Sequence, residues 1–326
     1  MKIISLKQFC IAVLSIAIVS ITSCKKADVT ILEEATQARV QSDDATMIQG
    51  ETESAEDDVN NATASSERFC GAGNFYNTPF SLQDATINFP TATSNIISIV
   101  YNGNIVLNSC KKRTGTITIE LVNGTRWLEV GAKLRYTFTN FKVENTCSNR
   151  SIKINGERYV TNINGGNLFK LQNGSITSLK HKVRTGINGL VITFTDSLNT
   201  VLNANWNIAR LTTIEYNATK NKYNFSAAGD TIINGKNNTE SWGFNRYGNI
   251  YITTFTTPVN ANTNCKLWRP TSGEINHFVS NTTITVKYGL NALGNQVGTN
   301  DCAGFYKVSW VLSNGINGGQ LYAYRF

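Results

Sequence analysis

Hydrophobic and polar residues alternate over most of the chain, which is the pattern of half-buried β-strands. In one segment Ile117, Ile119 and Leu121 share a face, and threonines and a glutamate share the other. The same two-residue period returns in residues 134–140, 283–288 and 306–312. Strands with a single apolar face are typical of antiparallel sheets that cover a core with that face.

Asn-Gly pairs separate many of these segments. The pair occurs nine times, beginning at residues 102, 123, 155, 164, 173, 188, 234, 314 and 317. Asn-Gly accepts the positive φ angles of a type I′ turn, and residues 152–160 have the full pattern of a hairpin. The sequence therefore predicts an all-β fold of antiparallel, sandwich-like sheets. We expect two packed β units, residues 69–200 and 201–326, with their boundary near residues 196–205.

The N-terminus departs from this pattern and has the features of an export signal. Lysines precede an uncharged, mostly apolar run of 13 residues, from Phe9 to Ile21. Such a run is too short to span a bilayer but suits the core of a signal peptide. Residues 21–24, Ile-Thr-Ser-Cys, resemble the lipobox of bacterial lipoproteins, in which the cysteine is lipidated and becomes the new N-terminus. We predict a signal peptide over residues 1–23 and acyl chains such as palmitate on Cys24. The alternative is an ordinary secretory signal that is cleaved nearby.

Charge divides the rest of the chain into two parts. Residues 25–68 carry eleven acidic and four basic side chains and no aromatic one, whereas residues 69–326 carry 24 basic and 11 acidic side chains. A segment with so few apolar residues cannot offset the entropy lost on ordering. Residues 24–68 are therefore predicted to form a lipidated acidic tether, disordered or partly helical. The basic body attracts polyanions, and the acidic tether could fold back on it; solubility alone is the alternative explanation of the charge.

Five cysteines remain after Cys10 leaves with the signal peptide and Cys24 takes lipid. They are Cys70, Cys110, Cys147, Cys265 and Cys302. An exported compartment is oxidising, so disulfides are expected. The equal spacing of 37 positions predicts the pairs Cys110–Cys147 and Cys265–Cys302, with Cys70–Cys110 as the main alternative. The chain has no Cys-x-x-Cys and no clustered histidines, so neither a metal site nor another cofactor is predicted.

Several short stretches share their order and spacing with a known group of proteins. They are Arg113–Ile119, Tyr136–Phe141, Ile154–Arg158, Gly243–Gly248 and Ser272–Ile275, together with Cys265, Tyr288-Gly289 and Cys302. This arrangement resembles an uncharacterised family of Bacteroidetes cell-envelope lipoproteins, from which the loop after Tyr288-Gly289 departs by its greater length. The resemblance implies a β-rich lipoprotein of the cell envelope. Likeness to Gram-negative lipoproteins makes the outer membrane the default, with the periplasmic or surface face left open.

The sequence contains no phosphate loop, dinucleotide fingerprint, nucleophile elbow or zinc-protease motif. Aromatic residues could stack on sugars, and Trp242 and Trp268 are the best candidates because each lies in a polar, turn-rich stretch. The alternative is that these aromatic side chains fill the core. No sequence feature pairs any two of the isolated carboxylates that could serve a glycosidase-like site. Those carboxylates are Glu120, Glu129, Asp196, Glu215, Asp230, Glu274 and Asp301.

These features favour a membrane-anchored extracytoplasmic lipoprotein with a binding or scaffolding role and no catalytic activity. Its candidate partners are the membrane, reached through the N-terminal lipid, and envelope glycans or polyanions; no specific nucleic acid is predicted. A surface glycan-processing enzyme is the second hypothesis. The third is an outer-membrane β-barrel, because Tyr322, Tyr324 and Phe326 share one face of a terminal segment that ends in phenylalanine.

Overall fold

A computed structural model describes residues 25–70, 80–90, 95–105, 109–265, 269–298, 301–312 and 314–324. Within these ranges, fifteen β-strands form one antiparallel sheet that follows a long N-terminal helix. This arrangement confirms the predicted all-β, antiparallel fold class.

The helices and strands have the following bounds. The helices are α1 (Lys25–Ala64), α2 (Glu67–Cys70) and α3 (Leu168–Gln172). The strands are β1 (Ala85–Asn88), β2 (Ile96–Ile105), β3 (Lys111–Asn123), β4 (Ala132–Asn145), β5 (Arg150–Asn162), β6 (Leu179–Thr195), β7 (Val201–Asn217), β8 (Lys222–Gly229), β9 (Thr231–Ile233), β10 (Lys236–Phe244), β11 (Ile250–Asn262), β12 (Ser272–Val279), β13 (Thr282–Leu290), β14 (Phe305–Val311) and β15 (Asn317–Ala323). Short 3₁₀ turns cover Ala218–Lys220 and Thr263–Cys265.

Strands β1 to β7 pair in chain order, and β10 to β15 continue the sheet beyond β7. One part of β7 pairs with β10, and the part from Arg210 to Asn217 pairs with β8. Strand β8 also pairs with the end of β11. The boundary expected near residues 196–205 falls in the hairpin between β6 and β7, and these two strands pair on both sides of a bulge. The sheet therefore has no break at that boundary.

The predicted alternation of buried and polar positions is present in the strands. Ile117 and Ile119 on β3 are fully buried, as is Ile284 on β13. On β4, Leu134 and Tyr136 are buried with them in one core. The inward faces of strands from both ends of the sheet thus contribute to the same hydrophobic cluster.

Asn-Gly pairs occur in this sheet both at a hairpin turn and within a strand. Asn234 and Gly235 form the two-residue turn between β9 and β10, with φ angles of 48° and 74°, as a type I′ hairpin requires. The hairpin predicted over residues 152–160 is wrong, because these residues lie within the single strand β5.

Gly156 permits a close approach of two strands where that hairpin was expected. Its φ is 124°, and a Cβ atom at this position would lie 2.8 Å from the carbonyl oxygen of Gly189 on β6. Gly115 on β3 is more tightly placed, since its Cβ would lie 2.2 Å from the carbonyl oxygen of Asn140 on β4. Each of these contacts coincides with a shift in strand register. Bulges of this kind bend a sheet, which allows it to curve around α1.

Helix α1 is part of the core of the protein. Ile48, Thr52, Ala55, Val59 and Ala62 are each at most 1% exposed. Their alternating spacing of four and three residues places them on one face of the helix. The apolar members of this set pack in the same cluster as inward residues of the sheet. None of the helices in the described part of the chain has the length and hydrophobicity that a membrane crossing requires.

The structure of residues 25–68 differs from the predicted tether. The segment is helical over Lys25–Ala64, and from Gln41 onward many of its side chains are buried. Its few apolar residues are enough to hold the helix on the sheet because they lie along one face of the helix. In addition, its carboxylates have basic partners on the sheet. Residues 41–66 therefore belong to the folded body.

Two disulfides match the predicted pairs. Cys110 and Cys147 have their Cα atoms 5.5 Å apart, and those of Cys265 and Cys302 are 5.1 Å apart. The first bridge closes the open end of the β3–β4 hairpin. The second joins the 3₁₀ turn after β11 to the segment before β14. The side chain of Cys70 lies outside the described residues.

Removing each disulfide separately should give unequal losses of stability. Both loops span 37 positions, so chain entropy alone predicts a loss of about 4 kcal/mol for either. The Cys265→Ala/Cys302→Ala variant should lose more than the Cys110→Ala/Cys147→Ala variant, because Cys265 is only 2% exposed and its truncation also leaves a cavity. Urea unfolding measures both values. Losses below about 1 kcal/mol in both variants would contradict the expected role of the bridges.

Candidate functional site

Basic side chains on the inner face of the sheet and its turns bind the acidic side of α1. Arginines on β3, β5 and β7 are nearly inaccessible to solvent, and a fourth lies in the turn between β10 and β11. The pairs are Arg113–Asp58 at 2.6 Å, Arg158–Glu56 at 2.5 Å, Arg210–Glu53 at 3.0 Å and Arg246–Asp44 at 2.6 Å. The fold-back of the acidic segment on the basic body, stated as a hypothesis above, is thus present in the structure.

Arg113 has the most complete set of partners in this row. Its Nε and Nη2 atoms donate to both carboxylate oxygens of Asp84, at 2.7 and 2.8 Å, and its Nη1 donates to Asp58. The hydroxyl of Tyr101 also donates to Asp58, at 2.8 Å, and the Tyr101 ring lies 4.5 Å from the guanidinium carbon. A buried ion pair is tolerated when hydrogen bonds satisfy both partners in this way.

Two adjacent cavities lie between α1 and the sheet, with volumes of about 110 and 100 Å³. Gln49 and Glu53 of α1 line both of them, and so do Arg210, Val259 and Pro270. A water molecule needs roughly 10–15 Å³ of such space. Each cavity can therefore hold several waters or one small organic group. We call the larger one the first cavity and the other the second cavity.

Aromatic rings form much of the wall of the second cavity. Trp206, Tyr288, Tyr306 and Tyr324 line it. The ring centroid of Tyr306 is 6.3 Å from that of Tyr288 and 5.3 Å from that of Tyr324. This side of the cavity presents flat apolar faces together with hydroxyl groups.

Two residues that line the second cavity each have one buried polar atom without a partner among the described residues. His277 on β12 is fully buried, and its Nδ1 is 2.9 Å from the Thr253 hydroxyl. Its Nε2, like the Nε of Arg210, has no hydrogen-bond partner among the described residues. An unpaired buried donor or acceptor costs about 1–3 kcal/mol. A molecule within the cavity that bonds these atoms would remove that cost.

His181 gives the first cavity a similar feature. Its side chain is 5% exposed, and its ring lies 5.3 Å from that of Trp127. Within the described chain, Nε2 of His181 has no hydrogen-bond partner. Burial lowers the pKa of this ring, so the neutral form is favoured.

Burial also makes the stability of the protein depend on His277 in acid. It lowers the pKa of His277 from 6.5 to about 4, so the unfolded chain binds a proton at a higher pH than the folded one does. The stabilisation is therefore complete above pH 6.5 and is lost as the pH falls towards 4, by about 3 kcal/mol in total.

The His277→Gln variant should show a shallower fall in stability between pH 6.5 and 4 than the unmodified protein. Urea unfolding at several pH values gives both curves. Acidic side chains titrate in both proteins, so the difference between the two curves gives the contribution of the His277 ring to the pH dependence of stability. Parallel curves would contradict the buried neutral state of His277.

The residues singled out for sugar stacking lie elsewhere. Trp242 is half-buried on β10, opposite Ile252 on β11 and Asn207 on β7, and it lines neither interior cavity. Trp268 and the predicted lipidation residue Cys24 lie outside the described residues.

The carboxylates proposed from sequence for a glycosidase-like site are not brought together at the interior cavities, and none lines either one. Some have other partners: Glu120 pairs with Arg135, and Asp230 pairs with Lys182 at 2.9 Å. Two carboxylates that sequence reasoning missed do line the second cavity, namely Glu53 on α1 and Glu240 on β10. Both approach the same nitrogen of Arg210, at 3.0 and 3.9 Å, which places their nearest oxygens within about 7 Å of each other.

The arginine positions do carry a signal in the sequence. Arg158 is two residues before buried Val160, and Arg210 is two residues after buried Ile208. Each charge thus occupies an apolar-facing position of its strand, where an unpaired charge would be costly. That placement requires an acidic partner inside the fold, and residues 25–68 are the most acidic part of the chain.

No family model matches this chain, and comparisons with curated proteins and with solved structures found no significant match. The resemblance to a lipoprotein family therefore stays a prediction.

Proposed function

We propose that this chain is an exported, lipid-anchored protein of the cell envelope that binds a ligand without transforming it. The observation that carries the binding role is the second cavity, where His277 and Arg210 keep buried polar atoms unpaired beside a wall of tyrosines. The lipobox-like residues 21–24 support the anchor. The two disulfides are consistent with an oxidising compartment.

Helix α1 would connect the anchor to the body. Its described part starts at Lys25, the residue that follows Cys24 in the sequence, and many of its side chains are buried from Gln41 onward. Sixteen helical residues span about 24 Å. Acyl chains on Cys24 would thus hold the body at a short, fixed distance from the lipid, whereas a flexible linker would let it move. The outer membrane remains the default location, with the membrane face left open.

Lipid labelling tests the anchor directly. The full chain, produced in a Gram-negative host with alkyne-palmitate, should incorporate label and sediment with membranes. Cys24→Ser should abolish both, whereas Cys10→Ser should leave both intact, because position 10 lies inside the predicted signal peptide. An unlabelled parent chain, or label retained in Cys24→Ser, would contradict the anchor.

A glycan-processing enzyme is the second candidate, and one observation favours it. Glu53 and Glu240 flank Arg210 in an aromatic-lined cavity. The upper limit of about 7 Å between their nearest oxygens overlaps the carboxyl separations of roughly 5–9.5 Å found in glycosidases. Release of reducing ends from polysaccharides by the intact protein, but not by Glu240→Gln, would support this candidate. Binding without product would support the non-catalytic role.

A further inference from the structure

We infer that the second cavity binds a single sugar unit, stacked on the tyrosine wall and hydrogen-bonded to Arg210, His277 and the flanking carboxylates. This inference rests on the binding role proposed above and gives that role a class of ligand. Four features of the cavity support it: its mixed lining, its unpaired polar atoms, its size and the exposed glycine that lines it.

The lining combines flat rings with many hydrogen-bonding groups. The C–H face of a sugar ring can stack on an aromatic ring such as Tyr306, while the hydroxyls at the edge of the sugar form hydrogen bonds. Besides the aromatic residues, polar side chains line the cavity: Gln49, Thr52, Glu53, Arg210, Glu240, Thr253 and His277. A purely aromatic ligand such as phenol has one hydroxyl to offer these groups, whereas a sugar ring carries several.

Two unpaired atoms and two carboxylates at this cavity match the donors and acceptors of a polyhydroxylated ring. Nε of Arg210 is a donor, and the carboxylates of Glu53 and Glu240 are acceptors. One sugar hydroxyl can accept a hydrogen bond from Nε of Arg210 and donate one to either carboxylate at the same time. Nε2 of His277 can donate or accept a hydrogen bond, depending on which ring nitrogen carries the proton. A ring with several hydroxyls therefore satisfies these atoms together.

The volume of the second cavity fits one ring. Its 100 Å³ corresponds to about seven to ten water-sized positions. A single hexose or pentose unit fills space of that order, and a long oligosaccharide does not. The first cavity, which shares Glu53 and Arg210 with the second, leaves room for a substituent on that ring.

Gly50 keeps the opening of the second cavity clear. It lies in the middle of α1, where glycine costs about 1 kcal/mol relative to alanine. Its φ is not positive, and a Cβ atom there would meet nothing within 4 Å. Neither backbone conformation nor packing therefore requires glycine. Because Gly50 is exposed and lines the second cavity, we place the solvent opening of that cavity beside it, where a larger side chain would cover it.

Two substitutions at this position separate binding from folding. Gly50→Ala should stabilise the helix and leave the opening clear, whereas Gly50→Leu should also favour the helix but cover the opening. Circular dichroism and thermal unfolding verify that both variants fold. His277→Phe serves as a third variant that keeps a ring at this position and removes its hydrogen-bonding atoms.

Binding is measured by saturation-transfer NMR and calorimetry with free sugars and their methyl glycosides. The probes are neutral hexoses, deoxyhexoses, pentoses, N-acetylhexosamines and uronates, with phenol as the aromatic comparison. At least one sugar should bind the unmodified protein and Gly50→Ala. Its affinity should fall by about tenfold or more in Gly50→Leu and His277→Phe, the change expected for about 1.4 kcal/mol.

Three results would overturn the inference. These are the absence of sugar binding to the unmodified protein at about 10 mM, equal sugar binding by Gly50→Leu, and binding of phenol without any sugar. Cleavage of a glycoside would leave the sugar site in place and overturn the non-catalytic role. Labelling of Cys24 is read separately, so a failed sugar site and a failed lipid anchor are distinguishable.

Discussion

A chain that lacks residues 25–64 is expected to lose its folded structure. Deletion removes Ile48, Val59 and their neighbours from the centre of the core, and it takes Glu56 away from Arg158 and Glu53 away from Arg210. Each broken buried pair costs about 3–5 kcal/mol. Domains of ordinary stability have only about 5–15 kcal/mol in total, so the loss exceeds what the sheet can tolerate.

A shorter deletion provides the control for this prediction. Removing residues 25–35 keeps in place every α1 residue whose burial the structure describes, from Gln41 onward, and should preserve folding. Circular dichroism and limited proteolysis of the two purified bodies show the difference. A cooperative thermal transition in the body that lacks residues 25–64 would mean that the sheet folds without its central helix.

Arg113→Met is expected to be the most destabilising single substitution among the ion pairs. It leaves Asp58 and Asp84 buried close together without the guanidinium that both contact. Loss of one partner from a buried pair costs about 3–5 kcal/mol, because the remaining charge stays desolvated. Urea unfolding at neutral pH measures this cost.

Arg135→Met is the matched control. Arg135 pairs with Glu120 on the outer side of the sheet, and both side chains are about one-third exposed. Exposed pairs contribute about 1 kcal/mol or less. Adding Asp58→Asn and Asp84→Asn to Arg113→Met should restore part of the lost stability. Similar losses for Arg113→Met and Arg135→Met would contradict the central position of the Arg113 cluster.

The strand pattern was largely predictable because it depends on local alternation. Ile117, Ile119 and their counterparts on β4 and β13 face the core as the two-residue period predicts. The disulfides were also predictable from equal cysteine spacing. The hairpin expected at residues 152–160 was not, since Asn-Gly serves equally well at a bulge, and the pairing of β5 with β4 and β6 is not visible in these nine residues.

The interior site was not predictable from local pattern. Glu53 belongs to a segment whose composition indicates disorder, and Glu240 has no neighbouring feature that marks it. Their proximity depends on α1 lying against β7 and β10, which are far away along the chain. The arginines at apolar-facing strand positions were the one feature of the sequence that indicated an acidic partner inside the fold.

Hydrogen–deuterium exchange of α1 tests the central claim most directly, because it needs no substitution. If the helix is the centre of the fold, the amides between Ile48 and Ala62 should exchange as slowly as those of the core strands β4 and β5. Global unfolding would then be the main route to their exchange. Exchange of these amides at the rate of an unstructured chain, with β4 and β5 protected, would show that the acidic segment is a separate tether.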